Sequence, residues 1–275
     1  MYLCKPDIRI IFLGAVYALL VTAGLAAAPQ AELWPRWEAH DPGSTQQLDH
    51  GQWDDFLDQN LDTDTADGIH RMRYGDVSLV QREELDAYLE YLASQRVSGM
   101  NRNEQFAYWV NLYNALTVNL ILEQYPVDSI RDISKPWDTP LISIEGIELT
   151  LNDIEHRILR PIWDDPRIHY AVNCASMGCP NLQPRAFTSD NNERLLEKAA
   201  TEYINHPRGA DFSGRNPRLS SIYNWYQEDF ENSVEGVLDH ITDYAEGMTL
   251  DGAQDYISRG YPGRIRYDYD WSLNE

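Results

Sequence analysis

Two cysteines that lie close together in the chain are its strongest candidates for chemistry. Four residues separate Cys174 from Cys179, and Cys174 ends an apolar run beside the polar residues Asn173 and Ser176. A thiolate is an effective nucleophile near neutral pH when a base or a positive dipole favours its formation. We therefore predict that Cys174 is the nucleophile of a cysteine-dependent hydrolase or acyl transferase that acts on an amide or a thioester.

A nucleophilic thiol needs a base, and two histidines precede Cys174. His169 lies five residues upstream, but the alternation of apolar and polar residues along 167–174 predicts a strand, which would place His169 and Cys174 on opposite faces. His156 comes from a preceding predicted helix, beside Glu155, and could approach from outside that strand. We favour His156 as the base, oriented by Glu155 or by a nearby asparagine, and keep His169 as the other candidate.

Several polar residues could line the substrate site. Asparagine is a poor helix former, so Asn111 and Asn114 in the middle of a long predicted helix require a reason. Either their amides hold a neighbouring loop, or they form a buried polar stripe that faces a site. Arg160, one helical turn after His156, could bind a substrate carboxylate or pair with one of the many acids. The predicted substrate-binding residues are Glu104, Asn111, Asn114, Arg160 and Asn173.

Three other interpretations of the cysteines stay open. Cys174 and Cys179 could form a structural disulfide in an oxidising compartment. They could bind zinc together with His169, although this spacing is not a standard one and no fourth ligand is evident. Cys174 could also be a small buried apolar residue. We predict no metal centre and no cofactor, and the alternative function is a non-catalytic binding or envelope-associated module with a Cys174–Cys179 disulfide-stapled loop.

The elements that must position these residues predict an α+β fold. Apolar residues recur at helical spacing from Asn101 to Gln124, and an N-terminal helical segment precedes this helix. Residues 141–149 alternate around a glycine and predict a β-hairpin, and residues 265–271 alternate like an edge strand. We expect helices packed on a small, mainly antiparallel sheet that contains these two segments and the strand at 167–174.

The N-terminus predicts export. Lys5 and Arg9 are followed by an uncharged apolar run and then by alanines at 26–28, which is the order of a secretory signal peptide. We predict a signal peptide at 1–28, a lead-in and N-terminal helical segment at 29–95, with residues 29–50 exposed, and a core domain at 96–275. The expected location is periplasmic or secreted, with no stable membrane span after cleavage.

The charge of the chain restricts its partners. The formal net charge is −22, with 44 acidic and 22 basic residues, and no basic stripe is present. Such a surface repels phosphate backbones, which makes nucleic acid an improbable partner. We expect an unknown small-molecule or peptide-like ligand.

Five segments together resemble the domain of unknown function 547 family. The resemblance covers roughly residues 95–275, and its motifs are long and occur in order, which makes it specific. It implies a domain boundary and a set of unusual residues, and it implies no reaction, because the family has no assigned function. The segments that carry it are 104–115, 151–160, 166–182, 225–230 and 267–274.

Overall fold

The computed structural model describes residues 28–261 and 263–275. The predicted signal peptide therefore lies outside the described residues, except for its last residue. The helices are α1 (Gly51–Asn60), α2 (Leu79–Ala93), α3 (Arg102–Gln124), a π-helix (Asp153–Leu159) continued by α4 (Arg160–Trp163), α5 (Ile168–Ala171), α6 (Asn192–Ile204), α7 (Ile222–Trp225), α8 (Val234–Tyr244) and α9 (Gly247–Ser258). The strands are β1 (Leu61–Asp62), β2 (Arg71–Met72), β3 (Ile142–Ile144), β4 (Ile147–Leu149), β5 (Ala210–Asp211), β6 (Arg218–Ser220) and β7 (Arg266–Asp268).

Helix α3 is the central element, and the sequence predicted it within one residue. Asn101 caps it by accepting a hydrogen bond from the backbone N–H of Glu104 at 3.0 Å. Helices α2 and α6 and the π-helix all pack against α3. Because neighbours cover it on several sides, its Asn face is buried as fully as its apolar face.

The fold is α+β, as predicted, but its strands form three small sheets rather than one. Strands β3 and β4 form the predicted hairpin, and the turn at Glu145 and Gly146 has positive φ at both residues, as a type I′ turn requires. The tail strand β7 is an edge strand, as predicted, and it pairs in parallel with β6. Hairpin and tail therefore belong to different sheets, and the single sheet expected from the sequence is a wrong prediction.

The strand predicted at 167–174 is also wrong. Asp165 accepts a hydrogen bond from the backbone of Arg167, and the chain then forms the short helix α5 before it becomes extended at Val172. All four residues of α5 are buried. Because both sides of this segment face protein, the alternation of apolar and polar residues no longer reports which backbone conformation it adopts.

The largely exposed lead-in is anchored to the core by a few buried side chains. Trp37 is only 2% exposed and its ring packs edge-on against Trp109 of α3, with 5.1 Å between the ring centroids. Leu48 and His50 are buried as well, whereas most other residues of 29–50 are exposed, as predicted. Aromatic burial of this size explains the attachment, because one Trp can bury 150–250 Å². Within the described ranges, no helix combines the length and apolar character needed to cross a bilayer.

Candidate functional site

Cys174 lies in a cluster of hydrogen-bonding groups. Its Sγ atom is 2.9 Å from Cys179 Sγ, 3.0 Å from the Tyr269 hydroxyl and 3.2 Å from Ser176 Oγ. Both thiols are free, so the pair is in contact without a disulfide bond. Cys174 is half-buried, whereas Cys179 is buried.

These contacts make the two thiols unequal. Hydrogen bonds from Cys179, Ser176 and Tyr269 together lower the pKa of Cys174, although burial acts in the opposite direction. Burial and the neighbouring Cys174 raise the pKa of Cys179 well above its usual range. Cys174 is therefore the thiol that ionises first, as a nucleophile requires.

The loop that carries Cys174 is held by asparagine side chains. Asn114 Oδ1 accepts a hydrogen bond from the backbone N–H of Asn173 at 2.8 Å, and its Nδ2 donates to the carbonyl of Ala171 at 2.9 Å. Asn173 in turn donates to the carbonyl of Pro180 at 2.7 Å and accepts from the N–H of Ala175 at 2.8 Å. These bonds hold the ends of the loop together around the two cysteines.

Asn111 has the same role in the next segment. Its Nδ2 donates to the carbonyl of Phe187 and its Oδ1 accepts from the N–H of the same residue, at 2.8 and 2.9 Å. Of the two interpretations of the asparagine stripe, these contacts favour the attachment of loops. Glu104 likewise binds protein backbone, since its Oε1 accepts from the N–H of Leu48 at 2.7 Å.

A partly buried network of charged groups surrounds Arg160. Arg160 donates from Nε and Nη2 to the two carboxylate oxygens of Asp229, at 2.6 and 3.0 Å, and also pairs with Glu228. His169 Nε2 lies 2.6 Å from the same carboxylate. Burial raises the pKa of Asp229, but hydrogen bonds from His169 and Arg160 outweigh it and lower the pKa to about 2. Arg160 therefore forms internal ion pairs, one of its two predicted roles.

The same guanidinium determines the state of His156. Arg160 Nη1 lies 3.0 Å from His156 Nδ1, and because a guanidinium only donates, this nitrogen must be the acceptor. The proton of the neutral ring is then on Nε2. Burial lowers the pKa of His156, and the charge of Arg160 lowers it further against the effect of Glu155.

Glu155 lies between the two imidazoles. Its Oε1 atom is 3.8 Å from the Nδ1 atoms of both His156 and His169, and its side chain forms no hydrogen bond with the part of the chain that the structure describes. It is carried by the π-helix, a rare form that often occurs at functional sites. Tyr226 covers the pair, stacked on His169 with 4.4 Å between centroids.

The charges of the Glu155 carboxylate and the Cys174 thiolate affect the pKa of the same two tyrosines. Burial raises the pKa of Tyr113 and of Tyr226, and the charges of Glu155 and Cys174 raise both further. The charge of Glu155 also opposes ionisation of Cys174. Glu155 and Cys174 therefore influence the same two tyrosines.

No direct contact forms the predicted dyad of Cys174 with a histidine among the described residues. Among the residues described, neither His156 nor His169 hydrogen-bonds to the thiol. The structure also adds three residues that the sequence prediction left out, namely Tyr226, Asp229 and Tyr269. Their signal was in the aromatic motifs around 225–230 and 267–271, but no spacing rule connects those segments to Cys174.

A cavity of about 220 Å³ lies against the same loop. Met177 and Gly178 of the loop line it, together with Tyr269 of the C-terminal segment and Arg208. Within residues 28–261 and 263–275, no group of three or more His, Cys, Asp and Glu side chains is arranged to hold a metal ion.

Comparison with known proteins identifies a family for part of this chain. Residues 97–204 match the family model described as "Protein of unknown function, DUF547". The match includes both cysteines and both histidines of the site, and it ends before Tyr226, Asp229 and Tyr269. No curated protein and no solved structure matches the chain significantly.

Proposed function

Residues 97–204 belong to the DUF547 family of proteins of unknown function, and from that premise we propose that this chain is an exported cysteine-dependent hydrolase or acyl transferase. Its substrate is an amide or a thioester of a small or peptide-like molecule. Cys174 is the nucleophile. Glu155, His156 and His169 carry out the proton transfers.

One observation carries the proposal. Three groups that can donate hydrogen bonds lie within 2.9–3.2 Å of Cys174 Sγ, and one of them, Cys179, is a thiol whose own ionisation is suppressed. Hydrogen bonds to the charged form stabilise it, so this arrangement favours the Cys174 thiolate without a histidine in contact. A thiolate that forms before substrate arrives needs a general acid for the leaving group more than it needs a base.

The reaction follows from these roles. The Cys174 thiolate attacks the acyl carbon, and the amine or thiol leaving group departs with a proton. The resulting thioester is then cleaved by water or by an acceptor amine or thiol. Asp229 holds His169 through Nε2 at 2.6 Å, which directs Nδ1 toward Glu155. We assign proton donation to the Glu155–His169 pair, by analogy with carboxylate-oriented imidazoles in acyl transfer.

Thiol reactivity is the first test. The rate of alkylation of Cys174 by iodoacetamide, followed across pH by mass spectrometry, is expected to rise with a midpoint below the ordinary value for cysteine, about 8.5. Tyr269→Phe removes one donor, so its midpoint should lie higher. A wild-type midpoint at or above the ordinary value, unchanged in Tyr269→Phe, would overturn the assignment of the nucleophile.

Acyl transfer is tested with a panel of aryl thioesters and peptide anilides. Wild-type protein should release the leaving group and trap an acyl group on Cys174, and Cys174→Ala should do neither. Cys179→Ala is the matched control, because it keeps the nucleophile and should retain turnover with a shifted pH profile. Equal turnover in wild type and Cys174→Ala would show that Cys174 is not the nucleophile and would overturn the proposal. A protein that binds these compounds without covalent labelling would be the alternative, a non-catalytic binding or envelope-associated module.

Export is part of the proposal and has its own test. The basic start, apolar run and small residues at 1–28 support a cleaved signal peptide. N-terminal sequencing of the protein recovered from a periplasmic or secreted fraction should give a start one or two residues before Pro29. Recovery of the intact Met1 form from the cytoplasm would contradict it.

A further inference from the structure

We propose that Cys174 is an oxidation site at which a hydroperoxide forms a sulfenic acid that Cys179 resolves into a reversible disulfide. The inference concerns the same thiol as the proposed function, but it does not depend on acyl transfer. It assigns a role to Cys179, which the proposed reaction uses only as a hydrogen-bond donor.

The two sulfur atoms are already in contact. Cys174 Sγ and Cys179 Sγ are 2.9 Å apart as free thiols, and a covalent disulfide bond measures about 2.05 Å. The loop between them is a turn, in which the N–H of Cys179 donates to the carbonyl of Ser176 and Ala175 has a positive φ of 58°. Joining the sulfurs therefore requires the two Sγ atoms to approach each other by about 1 Å.

The two thiols differ in exposure and in acidity, and these differences give them different roles. Cys174 is half-buried and is the thiol whose ionisation is favoured, while Cys179 is 4% exposed and holds its proton. An oxidant from solvent therefore meets the Cys174 thiolate first. Cys179 is reached only from inside the protein, by the sulfur of Cys174. This is the arrangement expected of an attacking thiol beside a resolving thiol.

Two hydroxyl groups favour a hydroperoxide as the oxidant. Ser176 Oγ and the Tyr269 hydroxyl lie 3.2 and 3.0 Å from Cys174 Sγ and 3.0 Å from each other. They can donate to the two oxygens of a peroxide as its O–O bond breaks. A hydroperoxide is also small enough for a half-buried thiol, whereas a bulky organic disulfide would need more open access.

The steps balance. The Cys174 thiolate attacks one peroxide oxygen, the O–O bond breaks, and the other oxygen takes a proton and leaves as an alcohol or water. Cys174 is then a sulfenic acid, oxidised by two electrons. The sulfur of Cys179 attacks the Cys174 sulfur, the S–O bond breaks, and water leaves with the proton of Cys179. One hydroperoxide and two thiols thus become one disulfide, one alcohol and one water.

The disulfide would switch off the nucleophile. It removes the thiolate of Cys174 and the S–H donor of Cys179 in one step. A dithiol reductant reverses the change, because the bond is exchanged by thiolate attack on sulfur. Oxidation would therefore suspend the proposed activity without destroying the thiol.

The test uses reduced full-length protein, stoichiometric hydrogen peroxide and peptide mapping by mass spectrometry, which separates Cys4 from the pair. Wild-type protein should lose two hydrogen atoms through a Cys174–Cys179 bond and regain them with dithiothreitol. Cys179→Ser should instead accumulate a dimedone-reactive sulfenic acid at Cys174, and Cys174→Ser should leave Cys179 reduced. Ser176→Ala and Tyr269→Phe should each react about tenfold more slowly, because each removes a group that polarises the peroxide.

Two results would overturn the inference. One is over-oxidation of Cys174 to sulfinic acid in wild-type protein while Cys179 stays a free thiol. The other is reaction no faster than that of cysteine in the urea-unfolded chain. Because the readout is mass, it is independent of acyl transfer: a disulfide in a protein without turnover leaves this inference standing, and turnover without a disulfide leaves only the proposed function standing.

Discussion

Asn111 and Asn114 show how single polar residues build the site from a buried helix face. Each primary amide meets a chain segment that offers one N–H and one C=O, and each satisfies both groups. A buried backbone group without a partner costs roughly 1–3 kcal/mol, so one asparagine can stabilise two such groups at once. The loops at Ala171–Asn173 and Phe187 are thereby tied to α3.

Truncation of either asparagine is expected to destabilise the protein. Asn111→Ala and Asn114→Ala should each lower the free energy of unfolding by about 2–4 kcal/mol, because each leaves two buried backbone groups unpaired. Urea denaturation followed by circular dichroism measures the change. Asn119→Ala is the control on the same helix, because its amide contacts only Glu123 at 3.4 Å near the surface. Equal losses at all three positions would contradict the assigned roles.

Arg160 is the residue on which the buried charges depend. It is 3% exposed and contacts Asp229, Glu228 and His156. Arg160→Met keeps much of the side-chain volume but leaves the Asp229 carboxylate short of a partner, so we expect a loss of about 3–5 kcal/mol in stability. Arg185→Met, which breaks an exposed pair with Asp58, should cost less than about 1 kcal/mol. Differential scanning calorimetry of both variants checks the contrast.

At the scale of elements, the cysteine loop is held between α3 and the C-terminal segment. Met177 N–H donates to Ser272 O and Gly178 N–H donates to Asp270 O, both at 2.8 Å, and Ser176 forms a β-bridge with Leu273. The same segment brings the Tyr269 hydroxyl to Cys174. The last ten residues of the chain thus complete the site, although they lie beyond the range that matches the family.

Gly178 is needed for this close approach. A Cβ at this position would lie 2.8 Å from Asp270 N and 2.9 Å from Asp270 O, which are backbone atoms that cannot rotate away. Gly178→Ala should therefore lower stability by about 1–3 kcal/mol and displace Tyr269 from Cys174, slowing alkylation of the thiol. Gly99→Ala is the control, because its Cβ would meet only side-chain atoms at 3.8 Å or more. Unchanged alkylation kinetics in Gly178→Ala would show that the approach is not required.

At the scale of the whole molecule, acidification has two opposing effects. Lowering the pH neutralises part of the net charge of −22 and so relieves repulsion in the folded state. Burial also keeps two histidines neutral: it lowers the pKa of His50 and that of His240 to about 4. Folding therefore opposes protonation of both rings.

The pH dependence of stability follows from the histidines. Between pH 6.5 and 4 the unfolded chain binds protons at His50 and His240 that the folded chain does not, so the free energy of unfolding falls as the pH falls. For each histidine the full effect is about 3 kcal/mol. His50→Gln should show a shallower fall than wild type over this range, in urea titrations at several pH values. An equally steep fall in both proteins would show that His50 is not held neutral.

The sequence alone determined the elements whose conformation depends on residues nearby in the chain. The helix α3, the hairpin β3–β4 and the edge strand β7 all follow from periodicity or turn residues. Such patterns report burial on one face of an element. They failed at residues 167–174, because all four residues of α5 are buried. Where every side chain is buried, the order of apolar and polar residues does not distinguish a strand from a helix.

Only the tertiary structure decided which groups meet. The contact of Cys174 with Tyr269 spans 95 residues and that of His169 with Asp229 spans 60, and no periodicity links positions so far apart. It also decided between the two interpretations of the asparagines, because an amide binds a loop or faces a site according to what packs against its helix. Side-chain type is a local property of the chain, whereas the partners of a buried polar group depend on how the whole chain packs.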